Sequence, residues 1–167
     1  MLLHASLPGK LSILAKHTLF EMPLLGRLIR AGGALPIYRA KDSDNLELSK
    51  QKNAEMLENA GVEISNGGRL LLFPEGKTHT EANVNRAKTG AARIMLTALR
   101  NAQINELPKP NLIPVGLHYS NSQKFRERGA VILERPMNLP EIPPVVEDEN
   151  RQKETDYEWV QNVTKSI

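Results

Sequence analysis

The chain has 167 residues, 40% hydrophobic and 25% charged, the size and balance of one globular domain with a proper core. Its formal net charge of +3 is a mild basic bias, compatible with anionic small molecules or an anionic surface; lysine and arginine are spread along the chain and aromatics are only 4%, which disfavours a nucleic-acid binder. The absence of cysteine excludes disulfides, thiolate zinc sites and a thiol nucleophile.

The elements follow in chain order. Residues Lys10 to Lys16 alternate and predict a short strand. Thr18 to Ala31 is mostly apolar, with Arg27 and Arg30 near its end and Gly32-Gly33 after it, the pattern of a helix stop. Pro23 inside this run predicts a kink, or a helix that starts nearer Pro23. The same run, with Leu24, Leu25, Leu28 and Ile29 beside two arginines, fits a bilayer-facing amphipathic helix and a core helix equally. Ala34 to Tyr38 predicts a second strand, ended by Arg39.

Ser43 to Ala60 predicts a helix capped by Asp42, Ser43 or Asp44, with Leu46, Ser49, Asn53, Met56, Leu57 and Ala60 on one side. Asn66-Gly67-Gly68 is a turn. A buried strand over Arg69 to Phe73 then runs into Pro74, Glu75 and Gly76. An irregular loop reaches Ala87, and a helix is expected from Lys88 to Gln103. Asn111 to Tyr119 and Gly129 to Glu134 predict two more strands, Arg135 to Pro144 an extended Pro-rich segment, and Glu147 to Ile167 a charged helix. Strands alternating with helices give an α/β class. The expected organisation is one partial domain over 1–167, with a core at 1–135 and a Pro-rich segment and helix at 136–167. No apolar run approaches the roughly 20 residues needed to span a bilayer, and Met1 to Ala5 lacks the basic start and long apolar core of a signal peptide.

Two places carry chemistry. The first is Gly33 to Arg39: taken alone it is a strand with a surface arginine, but a guanidinium at a strand end grips a phosphate in bidentate fashion. The second is Phe73-Pro74-Glu75-Gly76-Lys77-Thr78-His79, a buried strand entering a polar turn. Gly76 lets backbone approach a ligand, Glu75 binds a hydroxyl or orients a cation, and Lys77, Thr78 and His79 add donors suited to phosphate. Lys88-Thr89-Gly90-Ala91-Ala92 opens a helix. Lys88 there fits a phosphate, while Gly90 and Ala91 also fit plain close packing of helix on sheet. His17 and Glu21 share a helix-face spacing without a second histidine, which is weak as a metal site and ordinary as a surface pair; no metal is expected.

These residues carry a resemblance. Phe73-Pro74-Glu75-Gly76, the Gly33-to-Arg39 block before a helix, and the apolar-Pro-Val strand at Ile113-Pro114-Val115 together resemble the phospholipid/glycerol acyltransferase superfamily, the lysophosphatidate and glycerol-3-phosphate acyltransferases, from about Leu2 to Leu133. Lys77-Thr78 after the glycine, with Lys88-Thr89-Gly90-Ala91-Ala92 beyond, resembles the branch associated with glycerol 3-phosphate or dihydroxyacetone phosphate. The resemblance implies a mixed, largely parallel sheet flanked by helices, truncated at the N-terminus. It implies acyl transfer in phospholipid synthesis from acyl-CoA or acyl carrier protein to a hydroxyl of glycerol 3-phosphate or a lysophospholipid-type acceptor, at the cytoplasmic face of a membrane and without a cofactor. By the same resemblance Glu75 and Gly76 belong to the catalytic loop, and Arg39, Phe73, Pro74, Lys77, Thr78, His79 and Lys88 to substrate binding.

That family's base is a histidine with an aspartate five positions on. The positions five after His4, His17, His79 and His118 hold Gly9, Met22, Val84 and Gln123. The chain is therefore expected to be an incomplete copy, inactive alone, whose missing block would lie upstream. The rival reading is a non-catalytic module that binds phosphorylated lipid or a membrane surface.

Overall fold

A computed structural model describes residues 11–38, 45–76, 85–119 and 128–167. Its elements are β1 (Ser12–Lys16), α1 (His17–Phe20), α2 (Leu25–Ala31), β2 (Leu35–Ile37), α3 (Leu46–Ser65), β3 (Leu70–Leu71), α4 (Gly90–Ile104), β4 (Val115–Tyr119), β5 (Gly129–Leu133) and α5 (Glu149–Ser166). The described residues cluster into two compact units, one within 111–139 and one within 11–110 and 140–167.

In the larger unit β1 is the middle of a three-stranded parallel sheet ordered β2-β1-β3. Leu14 lies opposite Leu35 and Lys16 opposite Ile37, while Ser12 lies opposite Leu70. The α/β expectation stands. Because all three strands run the same way, their C-terminal ends leave one edge of the sheet, where α/β proteins place their sites. The strands are shorter than the sequence predicts: the Arg69–Phe73 strand is reduced to Leu70 and Leu71, with the Arg69 carbonyl accepting from Ser12 N–H at 2.9 Å, since Phe73 and Pro74 already enter a turn and proline offers no ladder donor.

Pro23 breaks the Thr18–Ala31 run into α1 and α2 rather than bending one helix. Gly26 lets them touch, because a Cβ there would collide with the Phe20 carbonyl oxygen. Arg30 Nη2 also donates to that oxygen at 2.6 Å. The expected caps at 42–44 lie outside the described residues; α3 is capped by Asn45, whose side-chain oxygen accepts from Leu48 N–H at 3.0 Å. Ser49, Met56 and Ala60 of the predicted face are buried, but Leu46 is exposed.

The core centres on α4, with Ala91, Ala92, Ile94, Met95, Ala98, Leu99 and Ala102 buried. This helix packs on α3 and on α5. The α3–α4 pass is tight: a Cβ on Gly61 would sit 2.6 Å from Thr97 Cβ. Gly90, by contrast, leaves ordinary room, its nearest neighbour Leu57 at 3.9 Å.

Trp159 and Val163 of α5 are buried, and Trp159 Nε1 donates to the Glu141 carbonyl at 3.0 Å. The smaller unit is an antiparallel hairpin in which Val115 pairs with Leu133 and Tyr119 with Gly129. The predicted Asn111–Tyr119 strand begins only at Val115, beyond Pro114, which has no N–H for a ladder.

Arg100 of α4 forks onto Asp156 of α5, with Nη1 to Oδ2 at 2.6 Å and Nη2 to Oδ1 at 2.5 Å. Burial works against ionisation of Asp156, but hydrogen bonds from Arg100 and Gln152 and the Arg100 charge outweigh it and hold the carboxyl below its ordinary value. A depressed folded value makes this contribution complete at neutral pH and lost as pH falls below 3.8 through the folded value. Asp156→Asn should cost about 1–3 kcal/mol near neutral pH by leaving Arg100 underpaired. Urea titrations of both proteins across acid pH should show that gap closing as the wild-type carboxylate protonates; a gap that does not change with pH refutes the assignment.

Candidate functional site

Three segments leave the sheet at its C-terminal edge: Lys16-His17 from β1, Tyr38 from β2 and Leu72-Phe73 from β3. With β1 between them, β2 and β3 stand about 10 Å apart at the usual strand spacing. Of the predicted site residues, Arg39, Lys77, Thr78 and His79 lie outside the described residues. Phe73, Pro74, Glu75, Gly76 and Lys88 are placed.

The block over 73–76 is a tight turn. Gly76 N–H donates to the Phe73 carbonyl at 3.1 Å, and Gly76 has φ +64°, the left-handed region that glycine enters without penalty. Phe73 is 64% exposed, so its ring is a surface feature rather than a core anchor. Lys88 N–H donates to the Pro74 carbonyl at 2.8 Å. Its side chain lies over Gly76, where a Cβ would meet Lys88 Nζ at 2.9 Å. Lys88 therefore belongs to this turn and stands two residues before α4, not within the helix start that the sequence predicted.

Glu75 Oε2 accepts from Asn85 N–H at 2.9 Å. The carboxylate thus ties together the two described ends of the loop between β3 and α4. Chemically, the turn offers an ammonium and a carboxylate close to backbone at a sheet edge, a set able to hold a phosphate and a hydroxyl.

A cavity of about 470 Å³ opens at the β1 and β2 ends of the same edge, walled among others by His17, Phe20, Glu21, Arg30, Tyr38 and Lys52. Of the predicted site residues that are described, Phe73, Pro74, Glu75, Gly76 and Lys88 do not line it. Sequence reasoning set His17 and Glu21 aside as a surface pair. Instead His17 stacks on Tyr38, with ring centroids 4.7 Å apart and planes at 25°, and its Nδ1 is buried without a hydrogen-bond partner among the described residues. Lys52 Nζ lies 5.0 Å from the Tyr38 ring centroid, a cation–π distance.

Asn53 fixes this wall: Tyr38 N–H donates to its Oδ1 at 2.9 Å, and its Nδ2 donates to the Tyr38 carbonyl at 2.6 Å. The signal for His17 was its place at a predicted strand end. Nothing local marked Asn53. Among the described residues there is no group of three or more histidine, aspartate or glutamate side chains able to hold a metal ion.

The Acyltransferase family model matches residues 1–118. No curated protein and no solved structure matches significantly.

Gly76→Ala should destabilise the protein by about 1 kcal/mol, because an L residue is strained at this φ, whereas the end of Lys88 can swing aside. Gly68 to Ala is not equivalent, since its Cβ would strike the Glu63 carbonyl at 2.6 Å. A Gly76→Ala protein as stable as wild type in urea denaturation would contradict the left-handed turn.

Proposed function

Because the chain belongs to the acyltransferase family, whose model covers residues 1–118, we propose that it serves the transfer of a fatty acyl group from acyl-CoA or acyl carrier protein to a hydroxyl of glycerol 3-phosphate or a lysophospholipid-type acceptor in phospholipid synthesis. One observation carries this reading. The Glu75-Gly76 turn, with Lys88 laid over it, stands at the sheet edge from which β2 also leads toward residue 39. An ammonium beside exposed backbone suits the acceptor's phosphate, and a carboxylate suits its hydroxyl. Arg39, Lys77, Thr78 and His79 are assigned to the same acceptor from their sequence alone. Holding the acceptor in place brings its hydroxyl to the thioester carbonyl, the positioning part of the reaction.

The proton must go to a base. None of the four histidines has an aspartate five residues on, so the 167 residues do not contain the pair that would take it. We therefore assign this chain the acceptor-binding half of the chemistry, with little turnover alone. The same observation supports the second reading, a module that binds phosphorylated lipid at a membrane surface without chemistry. Both readings place the protein peripherally, at the cytoplasmic face of a membrane. No helix among the described residues is long and apolar enough to cross one.

Two measurements test this. Calorimetry with glycerol 3-phosphate, dihydroxyacetone phosphate and lysophosphatidate should detect binding of at least one, weakened about tenfold or more in Lys88→Ala, the expected loss for a charged hydrogen bond. Acyl transfer from acyl-CoA and acyl carrier protein should stay at background. Robust transfer that Glu75→Ala abolishes overturns the inactive assignment, and failure of all three acceptors to bind removes both readings.

A further inference from the structure

Exposed apolar side chains in the larger unit are mostly solitary, as at Ile104, Val145 and Tyr157, and single ones are normal on any surface. The α1–α2 hairpin is different. Leu19, Met22, Leu24, Leu25 and Leu28 are all exposed within one stretch, Leu24 at 85% and Leu28 at 72%. Leu28 falls one turn after Leu24, whose carbonyl accepts from its N–H at 3.2 Å, so the two project from the same side of α2. Gly26 faces the other way, against the Phe20 backbone. The apolar side is thus held outward by a fixed contact rather than by a mobile segment.

Charge favours one occupant. Between His17 and Ala31 two arginines stand against one glutamate. Arg27 is exposed beside the leucines, while Arg30, tied to Phe20, turns with Phe20 and Glu21 to the cavity wall. A leucine face with an arginine at its rim suits the boundary between headgroups and acyl chains of an anionic bilayer.

We propose that Met22, Leu24, Leu25 and Leu28 seat the α1–α2 hairpin in an anionic phospholipid surface, with Arg27 at the headgroups. This deepens the membrane-peripheral reading above. The seated hairpin carries the cavity's Phe20, Glu21 and Arg30 on its inner side, so the cavity stands next to the lipid.

The test uses vesicles alone, with no acyl donor or acceptor, so its outcome is independent of whether the protein binds or acylates anything. The chain should co-sediment with phosphatidylcholine vesicles containing phosphatidylglycerol and less with phosphatidylcholine alone. Leu24→Asn with Leu28→Asn should reduce binding about tenfold or more, given the apolar surface removed from the bilayer. Arg27→Glu should erase the preference for the anionic vesicles, and Val145→Asn should change neither.

The chain has no cysteine, so Leu28→Cys and Val145→Cys each take one environment-sensitive fluorophore, which serves even if the double variant folds poorly. A blue shift on vesicle addition at position 28 and none at 145 supports the proposal. No shift at 28, or equal shifts at both positions, overturns it. So does a wild-type dimer that the double variant converts to monomer without any change in vesicle binding, which would make the leucines a contact between copies of the chain.

Discussion

Two hydrogen bonds between the Asn53 carboxamide and the Tyr38 backbone pin the chain where it leaves β2 at the C-terminal edge of the sheet. β2 is three residues long and lies at one side of its sheet, so its ladder alone holds its end weakly. Asn53 supplies a donor and an acceptor at the residue that leaves the strand, and α3 holds Asn53. A partly buried backbone pair left without such partners would cost about 1–3 kcal/mol. Once the Tyr38 backbone is pinned, its ring becomes a fixed wall: His17 stacks on it and Lys52 lies against it. The cavity exists because these three groups, from β2, the end of β1 and α3, meet there.

At the β3 end of the same edge the constraint is conformational. Gly76 turns the chain through the left-handed region, and the Pro74 carbonyl captures Lys88 N–H across the loop. Glu75 reaches Asn85 by a second route. Backbone and side chain therefore close the loop independently, which is how a short two-residue strand can end in an ordered turn. Loop closure is therefore what lays the Lys88 side chain over Gly76. The dipole of α4 adds little to it, since the residue stands outside the helix.

Much of the fold was legible because it is written in local signals. Gly32-Gly33 after two arginines marks the end of α2, Pro23 marks its beginning, and alternation marks β1. The α/β class follows from the order of these elements. What local pattern did not carry was partnership. The small residues of α4 gave no hint of its helix partners, α3 approaching at Gly61 and Thr97 and α5 beside it. Leu46 matched the core period of α3 but is the first residue of the helix and exposed. His17 looked like half of a surface pair because its partner is an aromatic ring on another strand, 21 residues away. The Phe73–Gly76 segment was readable as a turn at a strand end since proline, glycine and strand end are adjacent in sequence. The cavity beside it was not, because each of its walls comes from a different element.

The absence of one side chain organises both faces of the α1–α2 hairpin. Gly26 brings α2 against the Phe20 backbone at a distance that any Cβ would forbid. That contact buries Phe20 and brings Arg30 within hydrogen-bonding reach of the same carbonyl. It also fixes the rotation of α2 about its own axis. With Gly26 inward, helical geometry leaves Leu24 and Leu28 no inward position, and the unit has no other element over them among the described residues. A single close contact thus sets a charged inner wall and an apolar outer one on the same seven-residue helix. Widening that contact with a larger residue would rotate both walls together, so the inner chemistry and the outer surface of this hairpin are mechanically one feature.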